Sequence, residues 1–576
     1  MSDTKSVNLL ALGIIFLFLF TILVAVLAWI TYGTIEGVLG MLAYILVGIF
    51  CIFPWIIPFV GIPLALLNIF GQFGTNMYNL TLNLAHLDSS WMSFVWYWIV
   101  AICAIIIEIL MSILIISWIN AWKYKEKEEP KANFALINCK IIDGKRDSKV
   151  INDGVILIKN IVEEGETPGL IIDVGNSKNI EIPPDYKKID LKGDYILPGL
   201  INAHCHLTGS GKPMKLMNAS DELMEKAAKL LDLRIVKMVL FKLIRKNAFN
   251  ALNAGVTTLR TMGDPSYLDV KLRKLIEKGK IKGPRLIVAG RGICITGGHG
   301  GPMSFIADSI PELRKAVRKN LRNEVDFIKI LSTGGVMDAR KVGEAGRPQM
   351  TIEEIETACF ETHRANLLVA THCESTDGMR EALLGGVDTI EHGAEIPDDL
   401  IPLLKKNPKS LKGYTILVPT LSAGMGLATL PIKVTKITQV KFENAKLIEM
   451  GMIKCFQRAY EEGLRFGCGT DAAVPYSTHY EVWKELKYYL KYTNMTLQEA
   501  IYFATLNNAE ILGIDDITGS IEVGKSADLQ VVPGNPLENI DYLGDVKKVF
   551  IRGNLITTPK IKKVKNLQEI VPLEIK

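Results

Sequence analysis

Residues 195–208 read YILPGLINAHCHLT, an apolar run that ends in two histidines separated by one cysteine. The run has the length and composition of a buried strand, and in a strand residues i and i+2 point to the same side. His204 and His206 can therefore reach one cation from the strand's carboxyl end, while Cys205 faces the other way. The whole chain has eight histidines, so the position of the others matters.

Between about residues 196 and 512, short apolar runs alternate with longer amphipathic ones. After the first come GVTTLRTMG, RLIVAGRGI, DFIKILSTG, NLLVATH, VDTIEHG, TILVPTL and LRFGCGTD, with helical candidates such as 221–253 and 351–366 between them. Eight strand-helix units over more than about 250 residues predict a (β/α)8 TIM barrel. The stretches 132–197 and 513–565 read instead as short alternating strands, with Asp143-Gly144 and Asn152-Asp153-Gly154 as turns. The expected class is α/β: a metal-binding barrel over 198–512, and a small discontinuous β-sandwich domain from 132–197 and 513–565.

The first part of the chain has a different composition. Before Lys123 the only basic residue is Lys5. Three apolar stretches, 9–29, 38–70 and 91–118, are each long enough for the roughly 20 helical residues that cross a bilayer. The middle one is broken by Pro54, Pro58, Gly61 and Pro63, so three or four α-helical transmembrane spans are expected in residues 1–122. A charged linker follows at 123–131. Loop 71–90 lacks Lys and Arg whereas WKYKEKEEPK follows the last stretch, which predicts a multi-pass membrane protein in contact with lipid, its catalytic part cytoplasmic. Nine scattered cysteines fit a reducing compartment. A net charge of +5 with mixed signs gives no nucleic-acid stripe. Association with further copies of the chain is left open.

His204, His206, His372, His392 and Asp471 all fall at or near carboxyl ends of predicted strands, and Lys329 lies on the fourth. In this architecture those ends share the face that builds active sites, and five of the six are good ligands for a cation such as zinc. Each histidine alone would read as a satisfied core residue; the set together reads as a metal site. Lys329, flanked by apolar residues in VDFIKILS, has two readings. Burial lowers a lysine pKa, and a neutral amine can add carbon dioxide to give a metal-bridging carbamate; alternatively the lysine pairs with a carboxylate such as Asp471.

Residues 132–560 resemble the amidohydrolase superfamily, and within it the imidazolonepropionase-like and metal-dependent prolidase-like branch. The resemblance rests on LPGLINAHCHL, GVTTLRTMGD, ITGGHGGPM, DFIKILSTGGVM, ATHCES, DTIEHG, GTDA, MTLQEAIYFATLNNAEILG and GSIEVGKSADLQVV, in that order. It implies that His204, His206 and Asp471 hold one divalent metal ion and His372 and His392 a second. Lys329, carboxylated by carbon dioxide, would bridge them, with zinc as the metal. It also implies that Asp471 is ligand and proton shuttle, and that His299 in ITGGHGGPM contacts the substrate carbonyl or carboxylate. The other reading of His299 is a turn histidine in solvent.

Two departures stand out. Arg260 is followed by Thr261 where many relatives have Asp, and Glu374 stands where several have an aromatic or histidine. Glu374 facing the pocket would attract a basic group on the substrate; otherwise it is a surface carboxylate in a helix N-terminal turn. His479 is a further substrate-contact candidate, His363 reads as structural, and His86 has no evident partner. Glu108 in AIIIEILM reads as a protonated helix-packing contact. The expected function is metal-dependent hydrolysis of amide bonds in dipeptides or N-acyl amino acids. The alternatives are a mononuclear cyclic amidohydrolase or deaminase, and a membrane transport or sensing protein with a ligand-binding barrel.

Overall fold

The structure, a computed structural model, describes residues 132–213, 226, 228–564 and 567. The stretches 9–29, 38–70 and 91–118, the linker 123–131, His86 and Glu108 lie outside them. No helix among the described residues is long and apolar enough to cross a membrane. On that finding the expectation of a multi-pass membrane protein with a cytoplasmic catalytic part is corrected.

Residues from both sides of the central region build one sheet. Its strands follow the order Asn554–Ile556, Lys548–Ile551, Leu529–Val532, Tyr195–Pro198, Phe134–Ile141, Ile151–Lys159 and Leu170–Asn176, with Lys187–Asp190 pairing Phe134–Ile141 in parallel. This is a single hydrogen-bonded path where a β-sandwich of two sheets is expected. The join is the antiparallel pairing of Leu529–Val532 with Tyr195–Pro198, which sets Leu529 opposite Pro198 and Val532 opposite Tyr195. The period of two along INDGVILIK decides the packing. Ile156 and Ile158 enter a core with Leu136, Ile196, Leu529 and Phe550, while Val155 and Leu157 pack with Ala135 and Tyr186. Asn152-Asp153-Gly154 lies inside the strand Ile151–Lys159, not at a turn between strands. Asp153 takes φ 51°, and the partner strand shifts register around Cys139 opposite Gly154, so the turn-forming residues serve an irregularity of pairing.

Parallel strands and helices alternate in the central region. Leu200–Cys205, Val256–Thr261 and Arg285–Val288 pair side by side. Phe327–Leu331, Leu368–Cys373, Thr389–His392 and Ile416–Val418 form a second parallel set. Phe466 bridges Leu417, and Ala472 bridges Cys205, both in parallel, so the run 466–472 returns to the first strand. Between the sets, the Asp326 amide donates to the Val288 carbonyl at 2.8 Å. Every residue of Leu200–Cys205 and of Phe327–Leu331 is buried, as parallel strands covered on both faces require.

The helices begin and end on local signals. Thr351 and Glu354 form a capping box at the start of Ile352–His363, and Thr496 with Glu499 does the same for Leu497–Phe503. Ser375 caps Thr376–Gly385, which stops at Gly386 with φ 92°. The expected helix 221–253 is described as Arg234–Asn253.

Candidate metal centre

Strand ends bring the expected residues together. His204 and His372 each lie one residue from the end of their strands, Leu200–Cys205 and Leu368–Cys373, and His392 ends Thr389–His392. The register places His392 opposite Cys373 and His372 opposite Leu331. Ring centroids are 5.1 Å apart for His204 and His392, 4.6 Å for His372 and His392, and 5.8 Å for His204 and His206. Asp471 is drawn in by its amide, which donates to the His204 carbonyl at 2.8 Å. Its Oδ1 lies 3.3 Å from Nε2 of both His204 and His206.

Two sets of potential ligand atoms lie within 4.8 Å of one another: His204, His392 and Asp471, and His372, Glu374 and His392. His392 belongs to both. His206 reaches the first set through Asp471 and donates Nδ1–H to the Gly263 carbonyl at 3.3 Å. His392, Asp471 and the neighbouring Thr420 have φ of 73°, 50° and 46°. For non-glycine residues this conformation costs roughly 1–2 kcal/mol each, offset by the contacts that fix them. His392 Nδ1 is hydrogen-bonded to Thr420 Oγ1 at 2.7 Å. After Thr420, the Leu421 and Ser422 amides donate to the buried carboxylate of Glu485 at 2.7 and 2.8 Å.

Three buried polar atoms here have no hydrogen-bond partner: Lys329 Nζ, Glu374 Oε2 and Asp471 Oδ1. An unpaired buried charge is strongly unfavourable, and the pKa values register it. Burial lowers Lys329 to about 8 against the pull of Glu391 and Asp471. Burial raises Glu374 to about 8 against His299, and it also pushes His372 and His392 well below the usual histidine range. For Asp471 burial acts upward, but His204 and His206 outweigh it and hold the carboxyl well below its ordinary value. Four imidazoles with a carboxylate are a donor set suited to a borderline divalent cation, and a cation there would satisfy the orphaned oxygens.

Behind His204 runs a buried chain of charge that sequence reasoning missed. His204 Nδ1 lies 2.7 Å from Glu391 Oε2, and Glu391 Oε1 lies 3.4 Å from Arg260 Nη1. Thr389 Oγ1 donates to Glu391 Oε1 at 2.6 Å and accepts from Arg260 Nη2 at 2.8 Å. Burial alone would raise the Glu391 pKa; Arg260 and the His204 hydrogen bond hold it at about 2. The only signal in the sequence was an acid inside the apolar run VDTIEHG.

The remaining candidates separate. His299 stacks on His372 with centroids 4.1 Å apart, and its Nδ1 pairs with Asp338. Burial pulls the His299 pKa down, yet Asp338 reverses the balance and it ends raised. His479 is buried, its Nε2–H donating to the His206 carbonyl at 2.6 Å, and burial lowers its pKa to about 4. His363 Nε2 pairs with Asp388 at 2.8 Å, away from the centre.

A family model described as "Amidohydrolase family" matches residues 195–556. A prolidase-like structure from Bifidobacterium longum is 36% identical, with a TM-score of 0.66, over 77% of this chain and 98% of that one. A Xaa-Pro dipeptidase with methionine bound in its active site is 29% identical, with a TM-score of 0.61, over 74% of this chain and 100% of that one. Ochratoxinase from Aspergillus niger is 26% identical over 333 residues, 53% of this chain and 66% of its own length. This chain thus spans just under two thirds of that curated relative.

Proposed function

This chain belongs to the amidohydrolase family, hydrolases that act on carbon–nitrogen bonds, and we propose that it cleaves the amide bond of dipeptides or N-acyl amino acids with two divalent metal ions. The observation that carries this reading is the cluster of imidazoles around Lys329 Nζ, Glu374 Oε2 and Asp471 Oδ1, buried polar atoms without hydrogen-bond partners. The similarity to a Xaa-Pro dipeptidase supports the substrate class.

In this reading the parallel strands form a (β/α)8 barrel whose carboxyl face carries the centre. His204, His206 and Asp471 hold one cation, and His372 and His392 a second. Lys329, whose buried Nζ has no hydrogen-bond partner, would as its carbamate supply a further anionic donor to the cations; burial lowers its pKa to about 8, which raises the share of free amine that carbon dioxide requires. Two zinc ions would polarise the scissile carbonyl and lower the pKa of water toward about 7. Asp471, fixed through its backbone to His204, takes the proton of the attacking water and passes it to the departing amine. His299, set by Asp338 and stacked on His372, orients the substrate carbonyl or carboxylate. His479 acts through the His206 backbone that it holds.

The test is a screen of the purified protein against dipeptides and N-acyl amino acids, with elemental analysis of the same sample. Turnover with two metal equivalents is expected. One equivalent, with activity on a cyclic amide or heterocycle, would favour the mononuclear reading, and a preparation without metal that ignores added metal would remove both.

A further inference from the structure

Glu374 follows His372 by two positions where Leu368–Cys373 ends, a spacing that puts i and i+2 on one side of extended backbone. Its side chain is 9% exposed and lies 3.9 Å from His372 Nε2, and its Oε2 has no hydrogen-bond partner. The basic groups that act on it supply none: His299 gives Nδ1 to Asp338, and Lys329 Nζ is itself unpartnered. The nearby carboxylates Asp471 and Asp338 repel it. A buried carboxyl among like charges, with His372 at 3.9 Å but no hydrogen bond to its Oε2, is placed for a positive charge that arrives from outside the chain.

The ligand atoms of Glu374, His372 and His392 lie within 4.8 Å of one another. Two histidines and one glutamate are a recurrent donor set for catalytic zinc. We propose that Glu374 is a direct ligand of the second divalent cation, which is then held by His372, Glu374 and His392. This replaces the reading of Glu374 as an anchor for a basic group on the substrate. It rests on the metal-dependent function proposed above and adds an anionic donor to a pair of neutral ones. The neighbouring carboxylate Asp471 serves the other cation, so each ion takes one carboxylate from the chain.

The experiment compares wild type with Glu374→Gln and Glu374→Ala, stripped of metal and dialysed against zinc. Metal equivalents are counted by elemental analysis, and the zinc-induced rise in Tm is measured for each. The variants are expected to hold one equivalent fewer than wild type. Their metal-free Tm should be unchanged or higher, because an orphaned buried carboxylate has gone, and the zinc-induced rise should shrink. The alanine variant decides the matter should the glutamine variant not fold. Variants with the metal content and Tm rise of wild type overturn the inference while leaving the function standing. A wild type that binds no zinc overturns both.

Discussion

His204 Nδ1 and Glu391 Oε2 lie 2.7 Å apart, so the ring's Nε2 is the atom turned toward Asp471. A carboxylate on the far side of a ligand histidine fixes which nitrogen faces the metal. Arg260 on a third strand keeps that carboxylate charged.

Glu391→Gln removes the anion between the Arg260 guanidinium and the His204 ring. Breaking such a pair leaves Arg260 uncompensated and is expected to destabilise the fold by about 3–5 kcal/mol. Loss of the ring's anchor is expected to weaken metal binding about 10–100-fold. Urea denaturation of the metal-free protein measures the first and competition with a chelator the second. Unchanged metal affinity would mean that the strand alone orients His204.

Chelation is expected to abolish hydrolysis, and added zinc to restore it. Asp471→Asn keeps the side chain's size but removes its charge and its proton acceptor, and is expected to lower kcat/KM by about 100-fold or more. Assay after zinc reloading, with circular dichroism to confirm folding, tests this. Activity within tenfold of wild type would take Asp471 out of proton transfer.

Gly335→Ala tests His299 without touching it. A Cβ on Gly335 would stand 2.5 Å from His299 Nδ1 and Cε1, closer than real contacts allow, and Asp338 leaves the ring little room to yield. A displacement of about 1 Å in a positioning group can cost about 100-fold, so a fall in kcat/KM comparable to that of His299→Ala is expected, with metal content unchanged. Wild-type kinetics for Gly335→Ala would show that the ring is not needed where it sits.

Glu449, on the helix Gln439–Glu461, has its pKa raised to about 7 by burial, against the opposing effect of Lys491. The folded state therefore holds this proton more tightly than the unfolded chain. Below about pH 4.5 both states are protonated and there is no penalty; between about 4.5 and 7 the unfolded chain gives up the proton that the folded one keeps, so stability falls, and above about 7 the loss is complete. Glu449→Gln should match wild type near pH 4 and be more stable at pH 8, by on the order of 1–3 kcal/mol. Denaturation midpoints at the two pH values check the sign.

What the sequence revealed about this site follows from the range of its signals. His204 and His206 declared themselves because a period of two and a strand end are local properties, and Lys329 because a cation inside an apolar run is locally anomalous. Glu391 and Arg260 are also charges in apolar runs, but their partners lie on strands 131 and 187 residues away along the chain, and no local rule assigns them a role. Thr420 gave no sign, since its role depends on a left-handed backbone held by Glu485 from a later helix. Asn152-Asp153-Gly154 misled because the residues that favour tight turns also suit an irregular strand, and only the partner strand decides between them.

The pairing of Leu529–Val532 with Tyr195–Pro198 also constrains how the protein is made. More than three hundred residues separate the two strands, so at about 5–20 residues per second the ribosome needs on the order of half a minute between delivering one and the other. During that interval Tyr195–Pro198 has one edge unclaimed, open to other nascent chains. That edge stays a template for wrong pairing until Leu529–Val532 emerges and claims it.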